Sequence, residues 1–558
     1  MTAPLRPPGA AREPRGTTVL LLLLLACLPY LIGLGEPPLW DANEPLYAEP
    51  PREALESGDW LAPSWNGKPW WVRPPLASWV TLPFYAVLGP TPFAERLPMA
   101  LAALATILCV YELGRAAGGR RTGVMAALVL SATPRYWLFA RQLAGDVYLV
   151  ACLVGAFALA LPALRDEARG RRRIFFAHAL AGLGVLAKGP VILVLYAIPL
   201  VLTARLSRPR VPLRALRPLA GTLVVLAVAA PWFGYMWSRY GTEYLRVFFG
   251  WHHIRRAISE DVGGRPPWFY LVALLGDAQP WILLAPFAVL RRRRGGDRAA
   301  PTVLAWVGAA FPLVFFSIPL GKRNVYLLPL YPMLAAALAP FLLEIYDGLA
   351  TTLSRCVAGT FAVVAEVASL LLVIGAFQVP GDISAGSRVY LVLALVTMGV
   401  AAAQCFRSAP GRAVVRLLVG TLLVAEIASA LLLPILGRFM PVPQLARALV
   451  REARPEDAVI VYQSPIHSLM FYAERPTVVA HNEAELLAAI PEGGRAFVLG
   501  HEDAIAGLEK VPGLQRRTVA SAPYFKFQFS WNVLGEGKSA RELVLLEVTR
   551  ATKAAGTK

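Results

Sequence analysis

Charge is scarce in this chain, and so is cysteine. Only 16% of its 558 residues are Asp, Glu, Lys or Arg, where soluble domains carry about 25%. Five cysteines over this length exclude a disulfide scaffold. All of them (Cys27, Cys109, Cys152, Cys356 and Cys405) lie in or beside apolar runs and read as small core residues rather than metal ligands. Acid is scarcer than base, 36 residues against 55, giving a formal charge of +19. What fills the chain is apolar: 56% of positions are hydrophobic and the mean hydropathy is +0.53. These values exclude an ordinary soluble protein and predict one that crosses a membrane several times.

A bilayer core takes about 20 mostly apolar residues per helix, and roughly thirteen candidates can be found. They lie near residues 17–34, 95–114, 122–138, 146–164, 174–187, 190–204, 218–236, 268–290, 301–318, 324–345, 356–377, 389–405 and 417–434. The basic residues fall in alternate connections, as at Arg115, Arg120 and Arg121, Arg169 to Arg173, Arg205 to Arg217, and Arg291 to Arg294. This is the positive-inside pattern, so the charge orients the protein. It provides no clustered basic face with interleaved aromatics, which excludes nucleic acid as the partner. Residues 1–16 are then a cytoplasmic tail, 17–434 the membrane domain, and 435–558 an extracytoplasmic segment. The LLAC stretch at 24–27 imitates a lipoprotein cleavage box, but apolar sequence continues through Leu34, as expected of an uncleaved first helix.

Three connections are long: 35–94, 237–267 and the C-terminal segment. In the last, DAVIVYQS, RPTVVAH and RAFVLG read as short buried strands, while NEAELLAAI and EDAIAGLEK read as amphipathic helices. A small α/β domain outside the membrane is expected. GLGVLA at 182–187 matches a loose dinucleotide pattern, but it lies inside an apolar helix with no preceding strand and reads as small-residue helix packing.

The first external loop, 35–94, carries the strongest chemical signal. Asp41, Asn43 and Glu44 follow the exit of the first helix, and Trp40, Trp60, Trp65, Trp70, Trp71 and Trp79 are strung through the same loop. The tryptophans suggest elements lying in the interface plane, and 74–89, interrupted by Pro83, reads as a surface helix. Acids held against an apolar surface can serve as a base or a cation ligand, so Asp41 and Glu44 are the candidates for a divalent metal. The bland alternative is a helix N-terminus capped by Asp41 or Asn43, with Glu44 in its first turn. Because a residue before proline avoids helix, Glu44 and Glu49 are each expected at a break. Glu53, Glu56 and Asp59 read as the solvated face of the following turn.

Charges at span mouths on the same side add to this picture. They are Asp146, Lys188, Arg255, Arg256, Lys322 and Arg323, and such charges are costly unless used. The adjacent His252 and His253 could be metal ligands, an interfacial pair or phosphate contacts. Several cations and a few carboxylates on one external face suit a phosphate-bearing lipid substrate. Each could also be an interfacial anchor.

The ordered series DANEPLYAE (41–49), SGDWLAPSWNGKPWWVRPPLASW (57–79), FAERLPMALAA (93–103), LAKGP (186–190), FFGWHHIRRA (248–257), PWFYLVALLGDAQPWILLAP (267–286) and GKRNVYLLPLYPMLA (321–335) resembles the bacterial aminoarabinose transferase family. That family modifies lipid A and is related to protein O-mannosyltransferases among the C-type membrane glycosyltransferases. The resemblance implies a polytopic helical bundle with an external α/β domain in the bacterial inner membrane. It also implies a polyprenyl-phosphate-linked sugar as donor and a lipid A-like, glycan or protein acceptor on the external face. No nucleotide sugar or dedicated cofactor is implied, and a divalent metal stays open. The family's acidic pair maps onto Asn43 and Glu44, with Asp41 two residues earlier. Asp146 joins these as a catalytic candidate, with Arg73, Lys188, Arg255, Arg256, Lys322 and Arg323 as donor-phosphate candidates. Tyr47, His252, His253 and Tyr331 complete the set. The chain departs from the family pattern at Asn43, Leu46 and Val72-Arg73, which keeps a cation before Pro-Pro and loses a carboxylate. The other function class is a transporter or flippase of lipid-linked glycans, which would show internal repeats and charges deep within helices.

Overall fold

A computed structural model describes residues 14–347 apart from 42, 143 and 256–263, isolated positions 414, 418 and 422, and 433–550 apart from 438, 465, 512 and 525–540. Among the described residues, four helices are long and apolar enough to cross a membrane: Pro92–Gly118, Gly145–Arg165, Leu213–Gly250 and Ala300–Ser317. The helix from Ala144 to Arg165 is the most enclosed of them and packs against helices Pro92–Gly118 and Arg173–Lys188. Shorter apolar helices stand at Gly16–Leu31, Leu76–Leu88, Val191–Leu206 and Leu330–Tyr346.

Several predicted spans differ in form. The segment 122–138 divides into Arg120–Ser131 and Pro134–Phe139, because Pro134 begins a new helix and cannot continue the old one. The segment 268–290 is bent by 112° between Phe269–Asp277 and Trp281–Arg293, around Gln279-Pro280. Residues 324–345 begin with a short 3₁₀ turn, Asn324–Leu327, before helix Leu330–Tyr346. The segments 356–377 and 389–405 lie outside the described residues, as does nearly all of 417–434. The GLGVLA stretch packs as expected. A Cβ on Gly182 would stand 2.8 Å from Val228 Cβ, and one on Gly184 would stand 2.0 Å from Ile192 Cδ1, so neighbouring helices approach where glycine leaves room.

The first long loop, 35–94, contains helix Pro45–Ser57, a two-residue hairpin β1 (Ser64–Trp65) and β2 (Lys68–Pro69), and the short apolar helix Leu76–Leu88. The break expected at Glu49 is absent. Glu49 lies inside one continuous helix, although Pro50 and Pro51 withhold two N–H groups from it. The bias of a residue before proline is overridden by a buried charge pair, in which Arg52 Nε donates to Glu49 Oε2 at 2.9 Å one turn later.

The C-terminal unit is the expected α/β fold. Its strands are β3 (Ala458–Tyr462), β4 (Val478–Ala480), β5 (Arg495–His501), β6 (Leu514–Tyr524) and β7 (Arg541–Arg550), ordered β4-β3-β5-β7-β6. The first three are parallel, while β7 runs antiparallel to both β5 and β6. Alternate residues of β3 serve opposite faces. Val459 and Val461 pack with helices Val442–Glu452 and Ser468–Ala473, and Ile460 and Tyr462 with helix Glu483–Ala489. Burial on both faces explains why these strands read as unbroken apolar runs.

Candidate active site

Local sequence chemistry sets each side of a cationic cluster. In LAKGP, Lys188 occupies the last turn of helix Arg173–Lys188, where a cation offsets the helix dipole. Gly189 follows at φ +92°, a conformation that favours glycine, and Pro190 leads into the next helix. Asp146 lies in the first turn of helix Ala144–Arg165, the dipole-favoured place for an acid. The two termini meet, and Lys188 Nζ donates to Asp146 Oδ1. The 3₁₀ turn Asn324–Leu327 brings the Tyr326 ring to 5.4 Å from Lys188 Nζ.

Arg73 completes the cluster from the first loop, with its guanidinium 5.4 Å above the ring of Tyr47. Gly145 makes this possible, since a Cβ there would fall 3.0 Å from the Tyr47 hydroxyl. Asp146 and the phenols of Tyr47 and Tyr326 lie within electrostatic reach of Arg73, and both Arg73 and Arg323 within that of Lys188. Among the described residues Arg73 forms no ion pair or side-chain hydrogen bond within bonding distance, and its guanidinium rests on the Tyr47 ring. Asp146 thus pairs with Lys188 and acts on Arg73, while Arg73 and Arg323 both act on Lys188, an arrangement with more positive than negative charge.

The other predicted residues go elsewhere. Lys322 is buried, and its ammonium donates to the Arg265 carbonyl at 3.1 Å and to the Pro319 carbonyl, so its charge is spent on backbone. Tyr331 donates to Asp277 Oδ2 at 3.4 Å, and Asp277 also pairs with Arg135, a separate buried network. The backbone of Arg246–Arg255 forms a π-helical turn, but the side chains of His252, His253 and Arg255, and all of Arg256, lie outside the described residues.

The loop acids are engaged too. Glu44 is 1% exposed and forms a bidentate pair with Arg96, Nε to Oε1 at 2.8 Å and Nη2 to Oε2 at 2.7 Å. It also accepts from the Trp40 N–H at 2.7 Å. Arg96 donates its remaining hydrogens to the carbonyls of Leu34, Pro37 and Pro38, which fills all five donors. Arg141 similarly grips the carbonyls of Pro29, Ile32 and Gly33. Together the two arginines fix the path of the chain as it leaves the first helix. Sequence reasoning missed both, although Arg96 had a signal in the charged pair of FAERLPM at the head of an apolar helix.

Asp41 turns to the C-terminal unit, where Ser468 donates to it from its N–H and its hydroxyl, both at 2.8 Å. Burial pushes the Asp41 carboxyl up to about 6 against these donors. Asn43 is exposed. Asp41 and Glu44, offered above as metal ligands, therefore do not fit a metal, because both carboxylates are already occupied by protein donors. The later acids organise the loop rather than simply facing water. Glu53 Oε1 accepts from the Gly67 N–H at 3.2 Å, and Asp59 pairs with Arg239 at 2.6 Å.

The raised pKa of Asp41 has a testable sign. Between its ordinary value of 3.8 and about 6, the unfolded chain releases a proton that the folded chain keeps, so this group's contribution favours folding less as pH rises through that interval. Asp41→Asn removes the titration. Thermal melting of the two proteins should therefore show wild type losing ground to the variant between pH 4 and pH 6.5, and a constant difference would exclude a raised Asp41 pKa.

A family model described as dolichyl-phosphate-mannose-protein mannosyltransferase matches residues 72–235, the stretch carrying Arg73, Asp146 and Lys188. The undecaprenyl phosphate-alpha-4-amino-4-deoxy-L-arabinose arabinosyl transferase 1 of Sodalis glossinidius is 32% identical over 361 residues, covering 63% of this chain and 64% of that one. The corresponding transferase of Pseudomonas aeruginosa is 34% identical over 326 residues, covering 56% and 58%. This chain is a relative of the bacterial aminoarabinose transferases. The match spans less than two thirds of each of these relatives. The crystal structure of ArnT from Cupriavidus metallidurans bound to undecaprenyl phosphate aligns over 96% of this chain and 98% of its own, with a TM-score of 0.79 at 23% identity. An archaeal oligosaccharyltransferase, AglB from Archaeoglobus fulgidus, aligns over 87% and 69% with a TM-score of 0.52 at 14% identity. The fold is thus the polytopic helical fold of these solved membrane proteins.

Proposed function

We propose that the protein is an integral membrane glycosyltransferase. It takes a sugar from a polyprenyl-phosphate donor and passes it to a lipid A-like or other envelope acceptor at the external face of the bacterial inner membrane. The N-terminus is cytoplasmic, the α/β unit is periplasmic, and about thirteen spans complete the bundle. The observation that carries this reading is the Lys188–Asp146 pair with Arg73 and Arg323 acting on Lys188, and with Tyr47 and Tyr326 as aromatic walls. It supports a site for a lipid-borne phosphate. The relatives, whose names include undecaprenyl phosphate, support the same donor class.

In this reading the bond between the sugar's anomeric carbon and the donor phosphate breaks as an acceptor oxygen attacks that carbon. Charge grows on the departing polyprenyl phosphate, where Arg73, Lys188 and Arg323 stabilise it. Asp146 orients the acceptor hydroxyl or takes its proton, and an acceptor that is itself a phosphate needs no strong base. Mass spectrometry of envelope lipids and glycoproteins from cells with and without the protein tests the function. A species heavier by one sugar should be present only with the protein. Identical profiles would contradict the proposal.

A further inference from the structure

The first loop and the α/β unit are joined at several points. Asp41 accepts from Ser468, the Leu39 N–H donates to the Tyr472 hydroxyl at 2.7 Å, and Asn66 exchanges two hydrogen bonds with the backbone of Thr477. At the same junction Trp65 meets His467 edge to face, with ring centres 5.3 Å apart, and Trp70 lies 5.3 Å from Trp65. Beside this contact is a cleft of about 550 Å³ lined by Gln463, Ser464, His467, Val479 and His481. It opens where the chain leaves the carboxyl ends of the parallel strands β3 and β4, the edge at which open α/β sheets present their binding crevices. Its volume is that of a small-molecule site.

The chemistry of the lining narrows what could enter. The five lining residues include no lysine, arginine or carboxylate, so nothing there calls for an anion or a cation. They offer instead an amide, a hydroxyl and two imidazoles, which both donate and accept, together with one aliphatic surface. Burial lowers the pKa of His467, keeping that ring neutral at pH 7. The Glu485 carboxylate on the adjoining helix is turned to the backbone N–H of His481 and to Asn482. Gln463 holds a strained left-handed conformation at φ +50°, its N–H bonded to the Ala480 carbonyl at 2.9 Å, so its exposed side chain is presented from a fixed turn between the two strand ends. Mixed donors and acceptors without net charge suit a polyhydroxylated, uncharged ring.

We infer that this cleft is a subsite for a neutral sugar ring of the acceptor, held by Gln463, His467 and His481 at the seam between the α/β unit and the first loop. The inference rests on the glycosyltransferase reading and extends it, since it gives the α/β unit the task of holding the acceptor's carbohydrate. The seam lies close in the chain to the cationic cluster. His467 precedes Ser468, Ser468 holds Asp41, and six residues further on Tyr47 supports Arg73.

The test uses full-length protein in lipid nanodiscs and an uncharged N-acetylhexosamine disaccharide as probe, followed by saturation-transfer NMR. Wild type should bind the disaccharide. Gln463→Ala and His481→Ala, both at exposed positions, should each weaken it about three- to tenfold, as expected for one lost hydrogen bond. Val479→Trp, which fills the cleft, should abolish binding. In turnover assays the same variants should raise KM for the acceptor and leave KM for the donor and kcat unchanged. Wild type that transfers sugar but shows no disaccharide signal, or variants that bind and turn over like wild type, would overturn the subsite while leaving the transferase reading intact. Disaccharide binding lost in the variants of a protein that transfers no sugar would overturn the transferase reading instead.

Discussion

Arg73→Ala should lower turnover of a polyprenyl-phosphate sugar by about a hundredfold or more, with protein yield and melting temperature close to wild type. The size follows from removing one preorganised positive group from the place where charge develops on the leaving phosphate. The selectivity follows from the surroundings. Arg73 rests on the Tyr47 ring and makes no ion pair among the described residues, so its removal strands no buried charge. Lys188 differs, because its loss would leave Asp146 buried without its partner, and Lys188→Ala should impair both turnover and folding. Lys322→Ala provides the contrast. That ammonium caps the carbonyls of Arg265 and Pro319, so its replacement should destabilise without changing donor KM in the protein that survives. Steady-state kinetics alongside thermal melting separate the three, and an Arg73→Ala variant with full turnover would remove Arg73 from the donor site.

The second large effect concerns stability. Glu44→Gln and Arg96→Met should each destabilise the protein by about 3–5 kcal/mol, because each leaves a buried charge without its partner. The Glu44–Arg96 pair is almost wholly buried, with side chains 1% and 2% exposed, and it binds three carbonyls of the segment leaving the first helix. The double variant should be less damaged than the sum of the single ones, which is the mark of a coupled pair. Melting curves of purified protein measure this directly. If Glu44→Gln melted like wild type and lost only turnover, Glu44 would be a catalytic carboxylate and not a clamp.

The sequence made local chemistry legible and left partnerships hidden. Strands β3, β4 and β5 of the α/β unit announced themselves, since a sheet covered on both faces produces apolar runs such as AVIVY and AFVLG. Strands β6 and β7 were missed, and β6 has mostly exposed or half-buried residues and so no such run. Lys188 and Asp146 could be read as charges too costly to leave idle at the edge of an apolar bundle, Arg73 came from the family resemblance, and the fold places all three within electrostatic reach of one another. The same reasoning misplaced Lys322, because a cation that caps backbone carbonyls looks the same in sequence as one that awaits a phosphate. Glu44 and Arg96 lie 52 residues apart and Asp41 and Ser468 lie 427 apart, separations at which no local pattern announces a contact. The continuous helix Pro45–Ser57 shows a weak rule losing to a strong one, as the proline bias at Glu49 yields to its charge pair with Arg52.

Whether the cationic cluster serves sugar transfer from a lipid-borne phosphate is tested most directly with purified protein reconstituted into vesicles with a radiolabelled polyprenyl-phosphate sugar and envelope lipids, with Arg73→Ala in parallel. Wild type should move the label onto an acceptor lipid and release unlabelled polyprenyl phosphate, and Arg73→Ala should do so at about a hundredth of the rate or less. Label that stays on the donor, while the donor crosses between leaflets only when the protein is present, would contradict the account and make the protein a flippase.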